Sequence, residues 1–116
     1  IYARKGLNMF RKVNVPVLGI VENMSTFVCP HCGTRSDIFG HGGAKQEAER
    51  LGVPFLGEVP LTMSIRELSD QGRPIVVSDP ASPAAKAYRQ IAERTWTELQ
   101  GAKGDSREAP RIVIEN

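Results

Sequence analysis

The sequence is poor in net charge, in long apolar runs and in cysteine. Its 116 residues carry 15 basic and 13 acidic side chains, scattered along the chain, for a net charge of +2. That charge is too small to indicate a nucleic-acid partner or an anionic membrane surface. Apolar runs such as Ile75–Val77 are far shorter than the ~18 residues of a membrane span, and no secretion signal opens the chain. We therefore expect one cytoplasmic domain with no nucleic-acid and no membrane partner.

Two further absences concern the start of the chain and phosphate binding. The first residue is Ile1 rather than methionine, so we expect a trimmed or excised piece of a longer protein. No segment has the pattern G-x-x-x-x-G-K-S/T, in which backbone N–H groups cradle phosphates and the hydroxyl holds magnesium. We therefore predict no catalytic residue in this chain.

The two cysteines lie two residues apart in Cys29-Pro30-His31-Cys32-Gly33. A disulfide closing so small a loop would constrain little, which favours metal-binding or redox thiols in a reducing compartment. In a C-x-x-C-G turn both sulfurs can point at one ion, and the glycine can take a positive φ angle. Zinc and iron–sulfur centres usually need four ligands, so the pair is half of a site. Either a second chain supplies the other pair of ligands, or His31 and His41 help, or the motif serves redox chemistry instead.

Two segments near the cysteines allow other interpretations. Cys-Pro-His-Cys also occurs in disulfide oxidants, but these need a helix that begins at the motif, and Gly33–Asp37 is a poor helix former. The glycine-rich Gly40–Gly43 precedes a predicted helix, where free N–H groups favour anions. Without a lysine in it, a structural turn is the simpler interpretation.

Hydrophobic periodicity and capping residues predict four helices. They are Ala3–Val13, Ala44–Leu51 with Gly52 as its C-terminal cap, Ser64–Gly72 with a capping box at Ser64–Glu67, and Ser82–Leu99 with Pro83 in its first turn.

Apolar, β-branched runs predict two strands covered on both faces, Val15–Asn23 and Pro54–Val59, the second ended by Pro60. The helix between them implies a right-handed parallel crossover, with ligands beyond the strand ends near Asn23 and Pro60. The remaining segments are expected to be a third short strand or extended linker at Ile75–Val77, a loop of about twenty residues at Met24–Gly43, a polar linker at Gly101–Pro110, and an edge strand or tail at Arg111–Asn116.

Five segments carry a family resemblance: G-I-V-E-N-M-S from Gly19, C-P-H-C-G from Cys29, D-I-F-G-H-G-G from Asp37, L-G-V-P-F-L-G-E-V-P-L from Leu51, and G-R-P-I-V-V-S-D-P from Gly72. Together they resemble the Mrp/NBP35 (ApbC-like) iron–sulfur cluster carriers, P-loop ATPases of the MinD and ParA group. The resemblance extends from Ala3 to Leu99, in order and at family-like spacing.

The resemblance implies an α/β fold, the C-terminal part of a deviant-Walker, MinD/ParA-like P-loop NTPase with a parallel sheet and flanking helices. Residues 1–100 would form this portion and residues 101–116 a polar linker and tail. The resemblance further implies a homodimer in which Cys29 and Cys32 of both subunits hold a bridging [4Fe-4S] cluster. The cluster would be passed to apo iron–sulfur client proteins.

The resemblance also implies that the intact protein binds ATP and magnesium. Asn23, Pro60 and Leu61 match positions that touch adenine in the MinD-like group, whereas Thr62 stands where the family often has an acidic residue. The alternative function is a small interaction module stabilised by zinc on the two cysteines, without ATPase activity.

Overall fold

The computed structural model describes residues 1–102, with five helices and three strands. In chain order these are α1 (Tyr2–Lys12), β1 (Ile20–Val28), β2 (Arg35–Ser36), α2 (Gly43–Leu51), β3 (Phe55–Leu61), α3 (Met63–Asp70), α4 (Ile75–Ser78) and α5 (Pro83–Ala102). Gly101 and Ala102 therefore belong to α5. The rest of the predicted linker and the predicted strand or tail at Arg111–Asn116 lie outside the described residues.

The three strands form one sheet in the order β2-β1-β3. β1 and β3 are parallel and are connected through α2, while β1 and β2 form an antiparallel hairpin. The α/β class and the parallel crossover predicted from the sequence are confirmed. The third strand is β2 and not the predicted Ile75–Val77.

The boundaries of β1 differ from the prediction. The strand begins at Ile20 rather than Val15 and continues to Val28, so the predicted loop from Met24 to Gly43 is wrong over its first residues and at β2. The segment from Met24 onward sustains no strand or helix period in sequence, yet the polar side chains of Ser25 and Thr26 are buried in β1. The Ser25 hydroxyl donates to the Val59 carbonyl at 3.2 Å. This hydrogen bond offsets the cost of burying the hydroxyl in the strand.

A bulge divides β1 into two halves. Met24 has a φ of 53°, a left-handed conformation that is uncommon for a residue other than glycine. The Asn23 side-chain oxygen accepts a hydrogen bond from the Met24 N–H at 2.9 Å, and the register with β3 shifts between Asn23 and Phe27. Within residues 1–102, β1 pairs only with β3 upstream of Met24. Downstream it also pairs with β2 in the hairpin, while Phe27 still pairs with Leu61 of β3.

Residues Ile75–Ser78 form the short helix α4, so the predicted strand or extended linker there is wrong. Pro74 lies at its N-terminal cap, and Ile75 is buried against Ala84 and Ala85 of α5. An apolar run this short fits either structure, and packing on α5 decides in favour of the helix.

Two predicted boundaries around β3 also shift. Pro60 lies inside β3 and does not end it. Within residues 1–102, β3 lies at the edge of the sheet, where a missing N–H is tolerated. The helix α3 begins at Met63 with Thr62 as its cap, not with the predicted box at Ser64. The Thr62 hydroxyl accepts a hydrogen bond from the Ile65 N–H at 3.3 Å.

The predicted helices α1, α2 and α5 are confirmed to within a few residues. Gly52 ends α2 in the left-handed conformation, and the Ser82 hydroxyl caps α5 by accepting from the Ala85 N–H at 3.2 Å. The helix α5 packs on β3, where Arg94 Nη1 donates to the Leu56 carbonyl at 3.2 Å. None of the helices in residues 1–102 combines the length and the apolar character needed to cross a membrane.

Candidate metal centre

The two cysteines lie at the tip of the β1–β2 hairpin. The Cys29 N–H donates to the Thr34 carbonyl, and the Gly33 N–H donates to the Cys29 carbonyl, both at 2.9 Å. Gly33 has a φ of 70°, which a residue with a side chain would adopt only under strain. Backbone hydrogen bonds therefore close a turn that places both sulfurs at the end of the sheet.

Both thiols are free, Cys32 being exposed and Cys29 half-buried. The Cys32 sulfur lies 3.2 Å from the Thr34 hydroxyl oxygen. The pKa of Cys32 is lowered, first by the hydrogen bond with the Thr34 side chain, then by that with the Thr34 backbone, and then by that with the Cys29 thiol. Because the thiolate is the form that ligates metals, the turn favours metal binding.

Thr34 is a residue of this site that the sequence patterns did not indicate. It is the first residue after the C-x-x-C-G segment, and this position is the single signal that could have drawn attention to it. Its hydroxyl and its backbone both contact the Cys32 sulfur, so it acts on the sulfur rather than on the backbone of the turn alone.

The hairpin lacks the feature that a disulfide oxidant needs. Residues 30–32 form a turn, and the short strand β2 follows at Arg35. In the described part of the chain no helix begins at the cysteine pair, so no helix dipole stabilises the Cys29 thiolate. This is the structure expected from the poor helix-forming character of Gly33–Asp37.

The two histidines stand in different surroundings. His31 is exposed in the turn between the cysteines, whereas the His41 Nδ1 atom lies 3.7 Å from a carboxylate oxygen of Glu58. Among residues 1–102, no third histidine, cysteine, aspartate or glutamate joins the two sulfurs in a compact group of ligand atoms. The hairpin of one chain thus offers two thiol ligands.

The three predicted adenine-contacting residues come together near the carboxyl ends of the parallel strands. Asn23 is exposed and pairs in register with Val59, the residue before Pro60. Leu61 pairs with Phe27 across the bulge. Pro60 and Leu61 are half-buried, and the Asn23 side-chain oxygen is engaged by the Met24 N–H.

Comparison with known proteins places these features in context. The profile of the NUBPL iron-transfer P-loop NTPases, a ParA-type family, matches residues 1–96, from α1 through most of α5. The chain belongs to this family. The match includes both cysteines and all three residues at the strand ends. The family predicted from the sequence motifs is confirmed.

Two relatives show how much of a NUBPL-type protein the chain represents. An iron–sulfur cluster transfer protein NUBPL of Dictyostelium discoideum is 48% identical over 113 residues, which are 95% of this chain and 35% of that protein. A protein of Arabidopsis thaliana is 52% identical over 97% of this chain and 35% of its own length. It is described as a mitochondrial iron–sulfur protein required for NADH dehydrogenase. The chain spans about a third of the length of these relatives.

A solved structure agrees with the fold. It is a nucleotide-binding protein of Archaeoglobus fulgidus, described as a complex with ADP and with cobalt found by PIXE. It is 37% identical to this chain and superposes with a TM-score of 0.57 over 72% of this chain and 32% of its own length. The similarity shows that the α/β unit shares the fold of part of that protein.

Proposed function

We propose that this chain is the cluster-holding part of an iron–sulfur cluster carrier. The observation that carries the proposal is the hairpin turn, which presents two free thiols, one of them exposed and with a lowered pKa. Relatives in Dictyostelium discoideum and Pyrococcus furiosus are named iron–sulfur cluster transfer and carrier proteins. An exposed cargo site suits a protein that must hand its cluster to another.

The cargo that we propose is a [4Fe-4S] cluster bridging two copies of the chain. One hairpin offers two thiolates and the cluster needs four, so two hairpins would meet across a two-fold axis. Each hairpin would then contact its own copy. The tip position of Cys29 and Cys32 favours this arrangement because it leaves the sulfurs accessible from outside the sheet.

Anaerobic reconstitution with iron and sulfide tests the proposal. A shared [4Fe-4S] cluster gives about two iron and two sulfide atoms per chain and broad absorbance at about 400 nm, together with dimers in sedimentation. Zinc bound without visible absorbance, and lost when Cys29 and Cys32 are replaced by serine, would instead indicate the interaction module stabilised by zinc.

Single substitutions identify the ligands in the same experiment. Cys29→Ser and Cys32→Ser should each abolish cluster binding while the circular dichroism spectrum stays unchanged, because both residues lie in a turn outside the core. His31→Gln is the matched control, since His31 lies between the cysteines in the same turn, and it should keep the full iron content. Retention of the cluster by Cys29→Ser would contradict the assignment.

The nucleotide part of the proposal rests on the strand ends. Asn23, Pro60 and Leu61 would contribute to the adenine-binding edge of an intact protein that binds ATP and magnesium. The 116-residue chain has no phosphate loop, so nothing in it stabilises the charge of a transferring phosphoryl group. We expect no magnesium-dependent phosphate release by the purified chain; release above that of a mock purification would contradict this.

The remaining proposals concern organisation, clients and compartment. Residues 1–100 would form the C-terminal portion of the ATPase domain, and residues 101–116 a polar linker and tail. The loaded chain would deliver its cluster to apo iron–sulfur proteins. Mixing it with an apo-ferredoxin tests this step, because the cluster absorbance should move from the chain to the ferredoxin. The free thiols suit the reducing cytoplasm, our proposed compartment. Cell fractionation tests it, since the Arabidopsis relative is described as mitochondrial.

A further inference from the structure

A second group of potential metal ligands lies on the parallel part of the sheet. Glu22 of β1, Glu58 of β3 and His41 of the loop before α2 each offer one ligand atom, and these atoms lie within 4.8 Å of one another. The His41 Nδ1 atom is 3.7 Å from Glu58 Oε2. No cysteine belongs to the group, so it is separate from the thiol pair of the hairpin.

The two carboxylates are brought together by strand register. Glu22 and Glu58 are direct partners across β1 and β3, so their side chains leave the same face of the sheet about 5 Å apart. Like charges in directly opposed positions are destabilising unless a cation or a proton lies between them. The short distance between the Glu22 and Glu58 carboxylates therefore favours a cation bound between them.

An unpaired carboxylate oxygen of Glu22, one of the three residues, is the second, independent observation. Glu22 Oε2 is fully buried and has no hydrogen-bond partner in the part of the chain that the structure describes. Most buried polar atoms have a partner, and a carboxylate oxygen without one is costly. A metal ion at the centre of the group would complete the coordination of this oxygen.

The loop that carries His41 allows the group to close around an ion. Ligand atoms around a tetrahedral metal lie roughly 3.4 Å apart when the bonds are about 2.1 Å, so distances in the group need to shorten by up to about 1.4 Å. Gly40 and Gly42 flank His41 with φ angles of 83° and 76°. The His41 and Glu58 side chains are each 40% exposed and free enough to rotate inward.

We propose that Glu22, His41 and Glu58 bind a divalent transition-metal ion of the Zn²⁺ or Fe²⁺ type. One imidazole with two carboxylates suits these ions better than Ca²⁺ or Mg²⁺, which prefer oxygen ligands alone. Three protein ligands leave a coordination position open to water or to a ligand. The glycine-rich segment at Gly40–Gly43 thereby acquires a role that a structural turn does not give it.

The positive charge of Arg35 weakens binding of a metal ion at this group. Its Nη2 atom lies 3.5 Å from Nδ1 and 3.4 Å from Nε2 of His41, and its Nε atom lies 3.7 Å from Asp37 Oδ1. A guanidinium beside the imidazole repels a metal cation there, and it must swing away, towards Asp37 or solvent, when the ion binds. Removal of this charge should therefore tighten metal binding.

Calorimetric titration of the full chain with Zn²⁺ tests the proposal. Cys29 and Cys32 are first replaced by serine, so that the hairpin cannot bind the metal. We expect one site per chain with micromolar affinity, weakened at least tenfold by His41→Gln and by Glu58→Gln. His31→Gln, which changes the other histidine of the chain, should leave the affinity unchanged.

The second arm is Arg35→Gln, which should strengthen Zn²⁺ binding several-fold. Absence of binding in the double-serine background, or binding that His31→Gln abolishes and His41→Gln does not, would overturn the proposal; so would binding at millimolar Zn²⁺ only. Circular dichroism of each variant confirms the fold. Cluster reconstitution of His41→Gln with both cysteines intact separates the two sites, since the cluster should be retained whatever the outcome for Zn²⁺.

Discussion

Thr34 shapes the chemistry of the thiol pair at the scale of a single residue. Its hydroxyl and backbone both contact Cys32, and together they lower the pKa of that thiol. The lowered pKa increases the fraction of Cys32 that is thiolate at a given pH. The thiolate is the form that engages an incoming metal ion.

Replacement of Thr34 by valine tests this effect. We expect the pKa of Cys32 to rise in Thr34→Val, because the side-chain hydrogen bond to the sulfur is lost while size and branching are kept. The measurement is the rate of iodoacetamide modification of Cys32 against pH, with peptide mapping to distinguish the two cysteines. Thr26→Val, on β1 of the same chain, is the control for the hydroxyl loss. An unchanged profile in Thr34→Val would contradict the assigned cause.

The fold also shifts the ionisation of Glu47. Hydrogen bonds from Arg4 and then Arg50 lower its pKa to about 2. The unfolded chain has the ordinary glutamate value of about 4.3, so the ionised form stabilises the fold above that pH. This contribution is lost as the pH falls from about 4 to about 2.

Glu47→Gln should therefore lower the melting temperature at pH 7, and the difference from the unchanged chain should vanish near pH 2. Glu49→Gln, on the same helix and with the same change in charge, is the control and should have a smaller effect at pH 7. Thermal melts followed by circular dichroism across this pH range provide the comparison. A difference that persists unchanged at pH 2 would show that the Arg4–Glu47–Arg50 ion pairs are not its source.

At the scale of the elements, the contact between β3 and α5 depends on Gly57. Gly57 is buried with a φ of 146°, and a Cβ atom there would lie 2.7 Å from Cγ1 of Ile91. The strand approaches the helix closely because this position has no side chain. The close approach also brings Arg94 of α5 to the Leu56 carbonyl.

Gly57→Ala should cost about 1–3 kcal/mol of unfolding free energy, since the added methyl group meets Ile91 and the backbone angle is unfavourable. Gly6→Ala is the matched control: Gly6 lies within α1 with no atom within 4 Å of the added Cβ. This substitution should stabilise the chain by about 0.5–1 kcal/mol. Urea unfolding measures both, and equal effects in the two variants would contradict the packing argument.

The elements that could be predicted from sequence are those whose signal is local. Gly52 and Ser82 mark helix ends by their own conformation and side chain, and both are confirmed. The extension of β1 could not be predicted, because Ser25 is satisfied by Val59, 34 positions along the chain. The helix at Ile75 likewise depends on Ala84 and Ala85 of another element.

The same distinction between local and distant signals applies to the two proposed metal sites. Cys29 and Cys32 are recognisable because their spacing is itself the ligand geometry. Glu22, His41 and Glu58 come from three separate segments, and sheet register together with a loop brings them close. The sequence alone does not reveal that register, so it does not indicate that these three residues lie together.

At the scale of the whole molecule, the described chain leaves large apolar side chains uncovered. On β1, Val21 is 41% and Val28 46% exposed, and in the loop that follows β2, Ile38 is 57% and Phe39 68% exposed. The upstream half of β1 also has a partner strand on one side only within residues 1–102, since β2 pairs at Phe27 and Val28. Surfaces of this kind associate with other protein surfaces.

The purified chain should therefore bind an apolar fluorescent dye and self-associate as its concentration rises. Phe39→Ser, which removes the most exposed of these side chains, should reduce the dye fluorescence without lowering the melting temperature. Sedimentation velocity at several concentrations and dye titration provide the measurements. A stable monomer at high concentration that binds no dye would show that these side chains do not form an adhesive surface.

The two pairings of β1 also differ in the time they need to form. Its partners in the hairpin are seven and nine residues away along the chain, whereas its partners in β3 are 34 to 36 residues away. Short loops close faster and lose less entropy than long ones, and hairpins form in about 1–10 μs. The turn that holds Cys29 and Cys32 should thus assemble early in folding, before the parallel strands have met.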